Sequence, residues 1–422
     1  MHISRSTHSI ESKKRKEGVR AVLALLIACT LLASFSCVRA PRPKISTREE
    51  AFKKVSIEDL RLEADPLSIK SFLTALKGSI SYYEKVPPTR IYHFGRYMVT
   101  ADKLLRSYKS LRDYAEAHPS FRLISRFIKT HFDALKCNGY RGDGRLLFTG
   151  YYEPRVPGSL KKTGRFVYPL YSLPDDLIYV DLKSFGFQSP KKRLTGRIDG
   201  RMVRPYFTRY EIDFEKKLAG KGYELVWLDD IVDCFFIHVQ GSAEVVLPDG
   251  NTISVNYAGS NGHPYKSIGA LLIDEGKIPR EKMSMEAIYT YLHAHPSEIK
   301  RVLSCNSSYV FFRKVKNGPI GSIGIILTPR RSVAADPKFF PPGALAFVRV
   351  CSSPDRNGCG RNNAIEFKHM VFIQDRGGAI KGPGRIDYYW GKGKKAGNIA
   401  GSFKPWGEFF VFVPRDESFS RL

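Results

Sequence analysis

Residues 374–391, QDRGGAIKGPGRIDYYWG, set Asp375 and Asp387 on either side of a glycine-rich loop. Glycines such as Gly377 and Gly378 let the backbone approach a ligand closely. A carboxyl beside Tyr388, Tyr389 and Trp390 is partly desolvated, which favours the neutral acid and raises its pKa toward the range where an acid catalyst works. Sugar-cleaving enzymes need such an acid. The same spacing equally suits aspartates that cap turns and accept backbone N–H groups. The local residues leave both roles open.

Working outward, the flanks MVFIQ and GEFFVFVP are strand-like. So are LLFTGYYEP, RFVYPLY, VWLDDIVDCFFIHVQG and AEVVLPDGNTISVNYAG, runs of β-branched and aromatic residues separated by Gly, Pro, Asp and Asn. AEVVL and TISVNYAG, joined by Pro248-Asp249-Gly250-Asn251, form the clearest hairpin. Helical spacing appears at Ile69, Phe72, Leu73, Leu76 and Ile80, with Asp65-Pro66 as the predicted start. A second helical stretch covers residues 101–136, punctuated at His118-Pro119. A third covers 267–300, with Met285, Ile288 and Leu292 in phase and a stop at His295-Pro296. GKGKK at 391–395 reads as a charged turn. The expected fold is mainly β with flanking helices, one β region lying inside the sequence span of another.

With 422 residues, 43% apolar and 12% aromatic, the chain has material for one large core or two ordinary ones, and disorder is not its default. Its first twenty residues carry six Lys or Arg against two Glu. An apolar run from Ala21 to Phe35 follows, shorter than the roughly twenty residues of a spanning helix. That is the layout of a secretory signal over residues 1–36. Cys37 follows the small residues Ala33, Ser34 and Ser36, the setting of a lipidated cysteine; ordinary secretion and an uncleaved anchor are the alternatives. Two or three acyl chains would hold the protein on a membrane.

The net charge of +27 favours a polyanionic partner. An export signal directs it to anionic wall polymers and lipid headgroups rather than nucleic acid. Beyond Cys37 stand Cys137, Cys234, Cys305, Cys351 and Cys359, of which Cys351 and Cys359 flank a turn-rich segment suited to pairing. There is no HExxH, no CxxC and no clustered histidine, so no metal site is expected. Neither GPIGSIG nor GKGKKAG sits in a strand–GxGxxG–helix unit, and no nucleotide or other cofactor is expected. Cys234 and His238, inside CFFIHV, read as core residues, the histidine with its ring nitrogens satisfied.

Seven segments occur in an order that is highly specific as a set: FTGYYEP (148–154), DCFFIHVQGSA (233–243), YAGSNGHPYKSIGALLIDEG (257–276), SMEAIYTYLHAHP (284–296), NSSYVFF (306–312), LTPRRSVAADP (327–337) and residues 374–391. Together they resemble the membrane-bound lytic murein transglycosylase A family. The resemblance implies a double-psi β-barrel catalytic domain (residues 49–154 and 281–417, with helices) and an inserted β-barrel-like domain (155–280). Residues 37–48 form the linker after the lipidated cysteine. It implies a glycan groove between the domains, and a C-terminal three-aspartate domain whose aspartates match Asp336, Asp375 and Asp387.

The family's catalytic acid matches Asp387, leaving Asp375 and Asp336 in support. Thr149 and Gln240 match groove residues. Tyr151, Tyr152 and Trp390 suit stacking on sugar faces, and Gly377, Gly378 and Lys381 of the glycine loop are expected to contact substrate. The implied activity is water-free cleavage of the MurNAc–GlcNAc bond of peptidoglycan to 1,6-anhydro ends, on the periplasmic side of an outer membrane, with other wall enzymes as possible partners. A hydrolase using Glu153 as second carboxylate, or a non-catalytic wall-binding barrel, are the rival functions. The chain departs from the family at Ser307, where proline is usual, and at Ala243, where glycine is.

Overall fold

Ser68 opens the first long helix, Ile69–Tyr83, because its hydroxyl accepts the Ser71 N–H. Asp65, expected to start that helix, does something else. Its carboxylate accepts from Leu67 and Met370 N–H groups and holds the fully buried Arg331 guanidinium, tying the helix to the strands beneath. A buried cation needs such pairing to be tolerated. The computed structural model describes residues 45–188, 193–351 and 365–415. The expected leader, Cys37, and the side chains of Cys351 and Cys359 lie outside the described residues.

The strands are β1 Phe52–Val55, β2 Ile91–Phe94, β3 Tyr97–Thr100, β4 Phe132–Cys137, β5 Leu146–Glu153, β6 Arg155–Ser159, β7 Tyr168–Tyr171, β8 Ile178–Asp181, β9 Arg193–Asp199 and β10 Met202–Pro205. They continue with β11 Glu224–Leu228, β12 Ser242–Val246, β13 Thr252–Ser260, β14 Val310–Val315, β15 Ser332–Ala334, β16 Leu345–Cys351, β17 Ile365–Asp375, β18 Arg385–Lys392 and β19 Trp406–Pro414. One sheet runs β1-β4-β19-β16-β17-β15-β18-β5, and β5 pairs again with β19. A second runs β14-β13-β12-β6-β11-β7. Smaller sheets are β10-β9-β8 and β2-β3.

The first sheet and the helices Ile69–Tyr83, Ala101–Ala117 and Phe121–His131 share one core, built from Phe72, Leu76, Leu104, Phe347, Phe372 and Phe410 among others. The second sheet has its own core around Val226, Val245, Val255 and Phe312. The chain is thus mostly β with covering helices, as expected.

The β12–β13 hairpin forms as predicted, Val246 opposite Thr252. Four local readings are corrected. The stretch expected to be helical to residue 136 ends at His131, and Phe132–Cys137 is the strand β4. The run IVDCFFIHVQ is a helix, Ile231–Gln240, and not a strand: Asp230 accepts the Val232 N–H at its start, and Gly241 at φ +80° closes it. GKGKK begins the helix Gly393–Ser402 rather than forming a turn. Pro296 does not end helical structure; it opens the helix Pro296–Ser304 at its first turn, where a proline lacks no needed N–H.

Candidate active site

Register sets the site. In the first sheet Ala334 of β15 is opposite Asp375 on one side and Asp387 on the other, and Asp387 is opposite Thr149 of β5. Residues directly opposite one another share a face, so Asp375, Ala334, Asp387 and Thr149 form one row across four strands. Alternation along β18 and β5 adds Arg385, Tyr389 and Tyr151 to that face. Small Ala334 leaves the two carboxyls facing across it.

Thr149 Oγ1 lies 2.7 Å from Asp387 Oδ1, and Arg385 Nε and Nη2 each lie 3.3 Å from the same Thr149 oxygen. A guanidinium only donates. The threonine hydroxyl therefore accepts from Arg385 and has one hydrogen left, which it donates to Asp387 Oδ1. Oδ2 of Asp387 remains for a proton of its own. Burial pushes the Asp387 carboxyl above its ordinary range, while the Thr149 bond and the Arg385 charge oppose that rise.

Asp375 is more committed. Its Oδ1 accepts from the N–H groups of Ser322 (2.9 Å) and Arg376 (2.8 Å), and Tyr151 donates its hydroxyl to Oδ2 at 3.1 Å. Burial raises its pKa to about 6 against those three bonds, with the Asp387 charge adding a smaller push. Ser322 arrives because Gly321 lies so close to the Gln374 carbonyl that a Cβ would sit 2.4 Å from the oxygen. Gln374 is structural: fully buried, it donates to Ala75 and Ser79 of the first helix and accepts from Ser332.

Asp336 does not join the row. Its carboxylate accepts the N–H of Lys338 (3.0 Å) and of Gly382 (2.8 Å), so it closes a turn and pins the glycine loop. Within that loop Gly378 and Lys381 are exposed and Gly377 is half-buried. Gln240 ends the Ile231–Gln240 helix, and its Oε1 accepts the Tyr152 N–H at 3.1 Å, clamping the second sheet's helix onto β5.

Trp390 and Tyr152 lie on the other side of the β5–β18 pair. Trp390 packs between Tyr388 and Phe403, over Gly150, where a Cβ would meet the indole at 2.7 Å. Tyr152 lies on Gly397 of the Gly393–Ser402 helix. The structure thus gathers Asp387, Asp375, Thr149 and Tyr151, and sends Trp390 and Tyr152 toward a helix.

Two residues were missed from sequence. Arg385 was legible as the residue two before Asp387 on a strand, hence on its face. Tyr265 had no such signal. It is 44% exposed on a loop held by buried Asn261 and Asn306, whose side chains bond the backbone of residues 207, 266, 307, 308 and 309. Burial raises the pKa of its phenol, and the Arg385 charge opposes that rise.

His238 is in the core, wedged against Tyr309 and Phe312, but neither ring nitrogen has a hydrogen-bond partner among the described residues, contrary to a satisfied histidine. Burial pushes its pKa well down and keeps it neutral. Cys234 is buried and free.

The sheet carrying an aspartate row, with a second β unit inserted between its strands, defines the class. Residues 147–313 match the MltA specific insert domain and residues 331–413 match the 3D domain. The chain is 34% identical over 307 residues to membrane-bound lytic murein transglycosylase A of Escherichia coli K12, covering 72% of this chain and 74% of that one. It is 32% identical over 277 residues to the Vibrio cholerae protein of that name, covering 65% and 67%. Among solved structures, the membrane-bound lytic murein transglycosylase of Agrobacterium tumefaciens superposes with a TM-score of 0.73 at 29% identity, covering 86% of this chain and 98% of that one. E. coli MltA with bound chitohexaose gives 0.63 at 27% identity, covering 89% and 99%. The chain belongs to the membrane-bound lytic murein transglycosylase A family.

Proposed function

We propose that this chain is a peptidoglycan lytic transglycosylase in which Asp387 serves first as acid and then as base. The observation that carries the proposal is the Arg385–Thr149–Asp387 chain of hydrogen bonds, which occupies Oδ1 and leaves Oδ2 to hold the reacting proton. That proton passes to the oxygen joining C1 of N-acetylmuramic acid to O4 of N-acetylglucosamine. The C1–O bond breaks with oxocarbenium character. The muramic acid C6 hydroxyl then attacks C1, returning its proton to Oδ2 and closing a 1,6-anhydro ring. No water is consumed. One carboxyl suffices because the nucleophile is intramolecular. The chitohexaose bound to the E. coli relative supports a glycan as ligand.

A hydrolase would need a second carboxylate free to activate water. Glu153 is fully buried against Lys392, 3.1 Å away, and Asp375 is held by three donors. Neither is placed for that task, which favours the lyase. Asp375 and Asp336 act in support, the first by sharing the carboxyl row and the second by pinning the glycine loop, whose Gly377, Gly378 and Lys381 contact glycan.

The ring of pairings β19-β16-β17-β15-β18-β5 supports a double-psi barrel. The expected bounds, 49–154 and 281–417 around an inserted 155–280, are shifted, because β14 Val310–Val315 pairs with β13 in the second sheet and so extends the insert past residue 280. A lipid on Cys37, after removal of residues 1–36, would hold the enzyme in the periplasm at the outer membrane. Digestion of peptidoglycan in ¹⁸O-water tests the reaction class. Products without ¹⁸O are expected, and incorporation of one ¹⁸O at each new end would establish hydrolysis instead.

A further inference from the structure

The face that carries the aspartate row does not end at Thr149. Two residues back along the strands, Arg385 of β18 is opposite Leu147 of β5, and Leu147 is opposite Trp406 of β19. Opposite residues share a face and alternate residues return to it, so Arg385, Leu147 and Trp406 form a second line beside the one through Asp387 and Thr149. Gly407, the next residue of β19, looks the other way: a Cβ there would lie 2.9 Å from the Phe148 ring, in the core. Trp406 therefore points outward, and it is 39% exposed. With strands about 4.8 Å apart and a rise of about 3.4 Å per residue, it lies about 12 Å from Asp387. Its direction from the row is away from β6, where the inserted segment begins.

The indole is a flat apolar surface at the rim of the site, a platform on which the C–H face of a pyranose packs. Arg145, just ahead of β5, places its guanidinium 5.0 Å from the centre of that ring. An arginine stacked on an aromatic ring keeps the donor edge of its fork free for a carboxylate, and the described residues supply Arg145 with none. Tyr140, 44% exposed, borders the same corner: Gly139 is bridged to Arg145, and a Cβ on Gly384 would lie 2.6 Å from the Tyr140 Cβ. A solitary surface tryptophan is ordinary. This one continues the line of Arg385, whose guanidinium donates to Thr149 in the Asp387 relay.

We propose that Trp406 and Arg145 form an outlying glycan subsite, the indole carrying the ring of an N-acetylmuramyl residue and the guanidinium meeting a carboxylate of its lactyl or peptide substituent. The inference rests on the aspartate row being the cleavage site. It adds a grip on the strand beyond the two sugars that flank the broken bond. It also gives the strand a register, because an N-acetylglucosaminyl residue has no carboxylate to offer Arg145. Seating a muramyl residue there fixes which of the two alternating linkages reaches Asp387.

Binding is measured by calorimetry on residues 44–422, which form one compact unit without the leader, carrying Asp387→Asn so that strands stay intact. The ligands are three hexasaccharides: alternating N-acetylglucosamine and N-acetylmuramic acid without peptide, the same strand with stem peptides, and neutral chitohexaose. Trp406→Ala should weaken all three about fivefold, and Trp406→Phe should restore most of the loss. Arg145→Gln should weaken only the muramyl ligands, about threefold, and Arg145→Lys should keep them bound. A loss confined to the peptide-free strand assigns the lactyl carboxylate; one confined to the peptide-bearing strand assigns the peptide. With Asp387 in place, the same substitutions should raise KM by these factors and leave kcat within about twofold. Affinities unchanged by both Trp406→Ala and Arg145→Gln would overturn the proposal, as would an equal loss on chitohexaose after Arg145→Gln. Failure of the cleavage reading shows separately, as ¹⁸O incorporation or absent turnover by the wild type, and leaves these affinity ratios readable.

Discussion

Replacing Thr149 by valine removes one hydroxyl and keeps the side chain's shape and strand preference. In the native site that hydroxyl donates to Asp387 Oδ1 at 2.7 Å and so favours the ionised carboxylate. A hydrogen bond to a charged group contributes about 1.5–3 kcal/mol, and the low end applies at a half-buried carboxyl. That is about one pKa unit. The sign follows from which form is stabilised. Burial already raises the Asp387 carboxyl, and valine deletes one of the two groups opposing that rise. Its pKa therefore climbs further, and the acid form persists to higher pH. The descending limb of kcat/KM, measured on a defined glycan from about pH 4 to about pH 9, should move up by about one unit. kcat should fall at every pH, because Asp387 loses its orientation. Thr149→Ser keeps the hydroxyl and should leave the limb in place. A valine variant that is slower at all pH values with an unmoved limb would refute the relay from Arg385 through Thr149 to Asp387.

Two further perturbations test the scaffold. Asp375 has a folded pKa raised to about 6, so between the unfolded value and about 6 the native state holds more protons, and stability falls as pH rises through that window. Asp375→Asn removes the titration; its free energy of unfolding in urea should exceed the wild type's by a margin that grows from pH 4 to pH 7, reaching about 1–2 kcal/mol after allowance for partial exposure. A constant margin would contradict the assignment. Gly150→Ala puts a Cβ 2.7 Å from the Trp390 indole and 2.8 Å from Ala400 Cα, and should cost about 1–3 kcal/mol in urea unfolding by forcing the Gly393–Ser402 helix off the sheet. A cost under about 0.5 kcal/mol would show that the contact yields easily.

Much of this was legible because the chemistry is local. Two aspartates bracketing a glycine loop marked a candidate site while leaving their roles open, and the β12–β13 hairpin announced itself through Pro-Asp-Gly-Asn between alternating strands. What was not legible depends on partners distant in sequence. Asp336 and Asp375 look alike in sequence, yet only Asp375 joins the row, because β15 pairs with both β17 and β18 through Ala334. Trp390 looked like a sugar platform until Gly150, far upstream, made room for it on the helix side. IVDCFFIHVQ misled because a helix buried on several sides loses its periodic pattern; Asp230 and Gly241 at its ends were the better signal. Asp65 misled because a buried arginine 266 residues away claimed its carboxylate.

The central claim is that Asp387 moves the proton in a water-free cleavage. The direct measurement is the mass of muropeptides released from purified peptidoglycan by the wild type and by Asp387→Asn, with circular dichroism establishing that the variant is folded. Wild type should release products lighter by one water than hydrolytic ones, and the folded asparagine variant should release almost none. Undiminished release of anhydro products by Asp387→Asn would move the chemistry to another residue.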